Sequence, residues 1–225
     1  MATKKSQRIG IWVIAVVMLV GTLTSFLVLI LAPNNQAADQ ARIQQLTEEY
    51  QTAVEAYQER QAAQMAKFTD NVDELSDQYY DEFNKYEDRA KKFDASSVQE
   101  LGKDDIKVGD GETVTSNDAF AAYYIGWNPN GTIFDSSLEE NKLKAPIVAQ
   151  PGGVISGWTN GIDGMKVGGV RELTIPAEQA YGEAGSGENI PPNTPLKFVI
   201  MVIEKVEALQ QPEIPEELLR QYGNQ

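Results

Sequence analysis

The strongest constraint on this chain is an uncharged run of 24 residues near the N-terminus, from Ile9 to Ala32. As a helix this run would be about 36 Å long, enough to cross a hydrocarbon core of about 30 Å with some tilt. A cleaved signal peptide is the alternative, but the run exceeds the roughly 7–15 apolar residues of a signal-peptide core, and no good A-x-A site follows. We therefore predict an uncleaved transmembrane signal anchor over residues 9–32.

Basic residues flank this run on one side. Lys4, Lys5 and Arg8 precede it, and the next basic residue is Arg42. Because positive charge favours the cytoplasmic side, we expect residues 1–8 to be a cytoplasmic tail and the rest of the chain to lie outside the cell membrane.

Residues 33–97 are predicted to form a helical stalk, since they are polar, poor in Gly and Pro, and carry apolar residues at helical spacing. The apolar residues are Ile43, Leu46, Tyr50, Val54 and Tyr57, then Met65, Phe68, Val72, Leu75, Tyr79, Tyr86 and Phe93. The two series lose register around residues 61–64, which indicates one long helix with a stutter or two helices. The stripe fits either a dimerising coiled coil or a spacer that packs on itself or on the next domain. The many tyrosines favour the spacer.

From about Asp104 the chain changes character, with frequent Gly and Pro and with β-branched and aromatic residues that alternate with polar ones. Three segments are predicted strands: Asp118–Trp127, Val170–Pro176 and Leu196–Val206. Asn130-Gly131 is a predicted turn between two extended runs.

One short helix is predicted within this β-rich segment. Ser156 is its candidate N-cap, and Trp158, Ile162 and Met165 would lie on its apolar face. Residues 210–225 form a proline-punctuated tail in which PEELLRQY could make one or two helical turns.

Composition excludes several classes of function. The formal net charge of −14 argues against a nucleic-acid partner, because phosphate binding needs a basic face. The chain contains neither Cys nor His, which excludes Ser-His-Asp and Cys-His catalysis and the commonest zinc sites. We therefore expect no cofactor and no metal.

Three blocks of the β-rich segment resemble the signature blocks of the FKBP-type peptidyl-prolyl isomerases. They are YYIGWNPNGTIFDSS, VISGWTNGIDGMKVGGVRELTIPAEQAYG and NIPPNTPLKFVIMVIEKV, in family order and at near-family spacing. The resemblance covers about residues 104–209. It implies an α+β fold in which an antiparallel half-barrel sheet wraps around a short helix, here preceded by the transmembrane helix and the α-helical stalk. The predicted isomerase domain spans residues 98–209.

The resemblance also implies an apolar pocket between helix and sheet. The catalytic residues would be Asp135, Tyr181, Ile155 and Trp158. The substrate-binding residues would be Tyr124, Phe134, Val154, Ile190 and Phe198. In this arrangement the Ile155 backbone N–H would hold a substrate carbonyl, Trp158 would form the floor, and Tyr181 would present its hydroxyl to the bound amide.

Two positions depart from the family pattern. Ile147 stands where the family usually has an aromatic residue, and Ser186 stands where a histidine is frequent. Since both belong to the pocket edge, we expect altered sequence preference and macrolide affinity more than lost activity. Tyr124 has Tyr123 beside it, and a register shift of one residue would turn Tyr124 to the other face of the sheet.

The predicted function is peptidyl-prolyl cis-trans isomerisation that assists the folding of extracytoplasmic proteins. The expected partners are proline-containing polypeptides, macrolide inhibitors, the membrane through the N-terminal helix and, if the stalk dimerises, a second copy of the chain. The competing hypothesis is a chaperone-like module that binds proline-containing segments, with the stalk as an assembly element and little isomerase activity.

The topology can be tested by protease accessibility in intact cells. We expect an external protease to cleave the chain beyond residue 33 while a tag fused to Met1 stays protected, because the basic flank keeps residues 1–8 inside. Cleavage of the tag with protection of the remainder would reverse the assignment.

Overall fold

The computed structural model describes residues 37–222, which divide into two compact units. The larger unit runs from Tyr50 to Glu213, and the smaller one combines the described residues up to Glu49 with those from Ile214 onward. The predicted anchor over residues 9–32 lies outside the described residues. Between residues 37 and 222, none of the helices has the length and apolar character that a bilayer span requires.

Four α-helices and eight strands make up the described chain. The helices are α1 (Ala37–Thr69), α2 (Val72–Phe83), α3 (Ser156–Ile162) and α4 (Glu216–Tyr222). The strands are β1 (Gly102–Lys107), β2 (Ala119–Trp127), β3 (Ile133–Ser136), β4 (Leu138–Glu139), β5 (Lys142–Leu143), β6 (Ile147–Ala149), β7 (Val170–Ile175) and β8 (Leu196–Val206). Short 3₁₀ helices cover Asn84–Arg89, Ala95–Ser97 and Ala177–Gln179. The three strands and the short helix predicted from the sequence are all present.

The helical segment consists of two helices, as one of the two sequence interpretations has it. The interruption falls at Asp70 and Asn71 rather than at residues 61–64, through which α1 continues unbroken. The loss of register in the apolar pattern therefore does not break the helix. It changes which face of α1 is apolar.

The smaller unit contains the start of α1 and the C-terminal helix α4. Arg42 and Glu217 approach to 3.5 Å, and Leu46 and Leu218 are buried. The helical turns expected in the tail are confirmed as α4.

The larger unit is built on an antiparallel sheet with strand order β1-β7-β8-β2-β3, in which β6 also pairs with β2. Its centre is the long pairing of β2 with β8, from Ala119 opposite Val206 to Trp127 opposite Lys197. This is the antiparallel sheet with a short helix that the sequence predicts.

Both faces of the central strands are buried. Alternate residues of β8 belong to two separate apolar clusters because successive side chains of a strand point to opposite faces. One set packs with α3: Leu196, Phe198, Ile200 and Val202. The other set lies on the opposite face: Val199, Met201 and Ile203. The same alternation in β2 puts Tyr123 in the second cluster and Tyr124 against the first.

The second face is covered by residues that precede the sheet in the chain. Phe68 and Phe83 are buried in its cluster, and further members of the apolar stripe pack against it, namely Leu75, Tyr79, Tyr86 and Phe93. Tyr79 and Phe83 each lie 5.9 Å, centroid to centroid, from the ring of Tyr123. The stripe between residues 68 and 93 therefore packs on the neighbouring sheet, as the spacer interpretation allows.

Two local expectations about α3 were wrong. Its N-cap is Ile155, so Ser156 is the first helical residue, and the helix has no side-chain cap. The helix ends at Ile162, so Met165 lies beyond it. Met165 is nevertheless buried in the same cluster, because its N–H bonds to the Ile162 carbonyl in a turn at 2.8 Å.

Phe83→Ala tests whether the helices are part of the folded domain. Phe83 is fully buried between α2 and the sheet, so we expect a loss of about 3–5 kcal/mol in the free energy of unfolding, measured by urea denaturation. Met65→Ala is the control, since Met65 is 38% exposed and should change stability by about 0.5 kcal/mol or less. Equal, small changes in the free energy of unfolding for Phe83→Ala and Met65→Ala would mean that the helical layer is dispensable for the stability of the domain.

Candidate active site

A cluster of four aromatic rings lies between α3 and the sheet. Trp158 is 4% exposed, and its ring is 5.4 Å from that of Tyr124 and 5.3 Å from that of Phe198, both edge-on. Phe134 from β3 contacts Phe198 edge-on at 5.6 Å. Edge-to-face contacts of this kind fix ring orientation as well as distance. The result is an apolar surface with defined walls.

Two glycines bring α3 close to β7. A Cβ atom on Gly157 would lie 2.3 Å from Ile175 Cγ2, and one on Gly161 would lie 2.4 Å from Leu173 Cδ1. Residues four apart lie on one face of a helix, so this face is flat and packs directly on the strand. Trp158, next to Gly157, is thereby held at the surface of the sheet.

Arg171 anchors the C-terminal end of α3. It is 6% exposed, and its Nη1 donates to the carbonyl of Gly161 at 2.6 Å and to that of Asp163 at 3.1 Å. Its Nε and Nη2 donate to the carboxylate of Asp105 at 2.6 and 3.1 Å, which lowers the pKa of Asp105. The guanidinium thus satisfies helix carbonyls that have no partner within the helix.

Asp135 accepts two hydrogen bonds on the β3 side of the pocket. The Tyr124 hydroxyl donates to Oδ2, and the Ser136 backbone N–H donates to Oδ1 at 2.9 Å. Burial, and then the bond to Asp135, raise the pKa of Tyr124 far above its ordinary value. Tyr124 therefore stays protonated and holds the carboxylate in place.

Val154 and Ile155 form the approach to α3, and both pack at the edge of the aromatic cluster. The Ile155 carbonyl accepts from the N–H of Trp158 at 2.9 Å. Between residues 37 and 222 the Ile155 N–H donates no hydrogen bond. An incoming carbonyl can therefore be bound there without displacing a protein partner.

Tyr181 and Ile190 complete the site. Tyr181 is 39% exposed, and its pKa is raised by burial and, to a smaller degree, by the charge of Asp135. Its hydroxyl therefore remains a donor through the neutral range. Ile190 is buried in the cluster, and its carbonyl accepts from the Ser186 N–H at 2.7 Å, which closes the glycine-rich loop between them.

The structure brings the predicted site residues together. Trp158, Ile190 and Phe198 are buried in one cluster, and four more pack against it: Tyr124, Phe134, Val154 and Ile155. Asp135 accepts a hydrogen bond from Tyr124, and its negative charge raises the pKa of Tyr181. Ile147, one of the two departures, is half-buried against the same cluster. The catalytic and substrate-binding roles of the predicted site residues remain predictions.

Sequence reasoning missed two residues that shape the site. Arg171 could have been found, because it occupies the same face of β7 as Leu173 and Ile175, where a charge is unexpected. Gly126 gave no comparable signal. A Cβ atom there would lie 2.6 Å from Phe198 Cε1 and 2.8 Å from Phe134 Cζ, so glycine leaves room for both aromatic walls.

The site is suited to bind and orient a peptide. It offers an apolar floor, a free backbone N–H, a tyrosine hydroxyl and a carboxylate that is held by hydrogen bonds. The chain has neither Cys nor His. Rotation about a peptide bond breaks no bond and needs no nucleophile, so a site of this kind is sufficient for it.

Comparisons with known proteins agree with this chemistry. The model of the FKBP-type peptidyl-prolyl cis-trans isomerase family matches residues 110–203. An FK506-binding protein of Neisseria meningitidis is 40% identical over 104 residues, which are 46% of this chain and 94% of that protein. A probable FKBP-type peptidyl-prolyl cis-trans isomerase of Haemophilus influenzae is 41% identical over 97 residues, 43% of this chain and 39% of that protein. A crystal structure of a peptidyl-prolyl cis-trans isomerase from Pseudomonas syringae pv. tomato is 30% identical and covers 55% of this chain and 90% of its own, with a TM-score of 0.43.

The family model and the matched sequences of the two bacterial relatives identify the chain as a peptidyl-prolyl cis-trans isomerase, an enzyme that accelerates rotation about the peptide bond before proline. The chain belongs to the FKBP-type family of these enzymes.

Gly126→Ala tests the aromatic walls. The added methyl group must push the rings of Phe134 and Phe198 apart, and overpacking of this kind costs about 1–3 kcal/mol. We expect kcat/KM for a proline peptide to fall by about tenfold. Gly102→Ala on the edge strand β1 is the control. The added Cβ atom would lie 3.2 Å from Thr174 Cβ, its nearest neighbour, and Gly102 does not touch the pocket. Equal activity in both variants would contradict the assignment.

Proposed function

We propose that this enzyme is a membrane-anchored isomerase that assists the folding of proteins outside the cytoplasm. The observation that carries the proposal is the combination of an FKBP-type domain with the uncharged run Ile9–Ala32 and its basic flank Lys4, Lys5 and Arg8. The anchor would keep the enzyme at the surface where exported chains emerge. The clients are unfolded segments with X-Pro bonds.

In the proposed binding mode, the substrate proline ring packs on Trp158. The free N–H of Ile155 donates to a substrate carbonyl, and the hydroxyl of Tyr181 donates to the amide that rotates. Asp135 keeps Tyr124 oriented through their hydrogen bond and shapes the wall beside the proline. Phe134, Val154, Ile190 and Phe198 exclude water from the ring.

Catalysis then follows from the electronic structure of the amide. The barrier to rotation is about 18–20 kcal/mol and comes from resonance that gives the C–N bond partial double-bond character. Uncatalysed X-Pro bonds need tens to hundreds of seconds to cross it. A dry pocket disfavours the charge-separated resonance form, so the twisted transition state loses less on leaving water than the planar amide does. Binding energy from the proline ring holds the twisted geometry.

The same pocket is proposed to bind macrolides of the FK506 type. Support comes from the relatives, several of which are named FK506-binding proteins. Ile147 and Ser186, the two departures from the family pattern, are proposed to tune this affinity and the preference for the residue before proline.

Of the predicted stalk, residues 33–97, the part before Phe68 is proposed to hold the isomerase domain, residues 98–209, away from the membrane, because residues 68–93 pack on the sheet. Dimerisation through the stalk is proposed only for the earlier apolar series, Ile43 to Tyr57. The later part of the stripe packs on the sheet of the same chain, which removes the observation that motivated a separate assembly module.

Tyr181→Phe and Trp158→Leu test the proposed site. Loss of one hydrogen bond of about 0.5–1.5 kcal/mol should reduce kcat/KM of Tyr181→Phe by about two- to tenfold. Trp158→Leu should reduce it by about tenfold or more, because the floor and its edge-to-face contacts are lost. Both are measured on X-Pro peptides.

Tyr86→Phe is the matched control. It removes the same hydroxyl from the helical layer on the opposite face of the sheet and should leave the rate unchanged. Wild-type rates in both site variants, with the fold intact by circular dichroism, would remove the proposed pocket.

A further inference from the structure

A buried glutamine lies at the end of β6, next to the pocket rim. Gln150 is 7% exposed, and both ends of its side-chain amide are hydrogen-bonded. Its Nε2 donates to Gln64 Oε1 of α1 at 2.7 Å, and its Oε1 accepts from the Leu209 backbone N–H at 2.9 Å. A buried amide with both ends satisfied fixes the position of its own backbone, since leaving either end unpaired would cost about 1–3 kcal/mol.

Gln64 closes this arrangement into a ring. Its Nε2 donates to the Glu207 carbonyl at 2.7 Å, two residues before Leu209. The side chains of Gln64 and Gln150 and the backbone of residues 207–209 therefore form one closed set of hydrogen bonds, which we call the glutamine clasp. One helical turn further along α1, Lys67 pairs with Glu204 and Phe68 is buried against the sheet. The helix is thus fixed where it meets the clasp.

The clasp holds one end of the turn that leads into the rim. The Gly153 N–H donates to the Gln150 carbonyl at 2.9 Å, and Gly152 has φ +74. Val154 and Ile155 follow directly. Gly152 and Gly153 are exposed, and a Cβ atom on Gly152 would touch nothing within 4 Å. Within the described part of the chain, the bond from Gly153 is the only hydrogen bond that residues 151–154 donate. The turn has almost no packing of its own, so the clasp and the packing of the rim determine its position.

We propose that Gln150, held by Gln64, is a positioning residue for the rim, so that α1 controls how well the Ile155 N–H meets a substrate carbonyl. The inference rests on the binding mode proposed above. Gln64 and residues 207–209 lie outside the part of the chain that matches the family model, residues 110–203. The clasp therefore connects segments that flank the family match to the rim of the proposed pocket. A displacement of α1 at Gln64 would be transmitted through one side-chain amide to the rim.

The test uses full-length protein in detergent micelles and steady-state kinetics on an X-Pro peptide. Gln64→Ala and Gln150→Ala should each raise KM by about three- to tenfold, the equivalent of one lost hydrogen bond, with kcat within about twofold of wild type. We expect the effect in KM because a mispositioned rim weakens substrate binding. We expect little change in kcat because the pocket floor is unchanged. The double variant should be no worse than Gln150→Ala alone, because residues that act through one contact are not additive.

Gln61→Ala is the matched control. It makes the same substitution one turn earlier on the same helix, where the side chain donates to the Tyr57 hydroxyl at 3.0 Å and, among residues 37–222, to no other group. It should leave KM and kcat unchanged. A general loosening of the helix would instead raise KM in the control as well, and would contradict the proposal.

Three further outcomes are informative. Lower melting temperatures with wild-type KM in Gln64→Ala and Gln150→Ala would mean that the clasp is structural only, and the inference fails. Trp158→Leu is measured beside them. If Trp158→Leu loses activity while the clasp variants keep wild-type kinetics, the clasp inference fails and the proposed site stands. If Trp158→Leu also keeps wild-type kinetics, the proposed site itself fails.

Discussion

A sheet whose central strands are apolar on both faces has to be covered twice. Strands β2 and β8 impose this requirement here, because their alternate residues supply two separate apolar clusters. The short helix α3 covers one face, where the aromatic cluster of the proposed pocket lies. Residues 68–93 cover the other face, with Phe83 fully buried against it. The helices before the isomerase sequence are therefore part of the packing on which the pocket-bearing sheet depends.

The pocket follows from how closely α3 lies on the sheet. Gly157 and Gly161 remove the side chains that would hold the helix away from β7, and Arg171 ties its last carbonyls to Asp105. An enzyme that rotates a bond without breaking it depends on such placement, because the proposed mechanism works through the environment of the bound amide. Residues that never contact substrate can therefore matter as much as those that line the pocket. The proposed clasp at Gln150 extends the same dependence to α1.

Particular residues show how far sequence patterns reach. Strand β8 was predicted at its observed bounds, Leu196–Val206, since a long β-branched run between turn signals has few alternatives. The choice of Tyr124 over Tyr123 came from the family resemblance, and the pairing register agrees with it: Tyr123 packs with the helices and Tyr124 with Trp158. Ser156 was a wrong N-cap, because the Ile155 backbone takes that position and no side chain is needed.

The sequence alone determined the kind of elements and their order, because periodicity and turn chemistry are local in the chain, and the family signature proposed which residues form the site. Tertiary structure decided what those patterns leave open. The tyrosines in the apolar stripe from Phe68 to Phe93 favour a spacer over a dimer, but only the apolar back face of the sheet shows what the stripe packs on. The bonds from Gln64 to Gln150 and from Arg171 to Gly161 join residues that carry no mutual signal in sequence. They exist because folding brings these side chains, and for Arg171 the Gly161 carbonyl, within hydrogen-bonding distance in partly or fully buried positions.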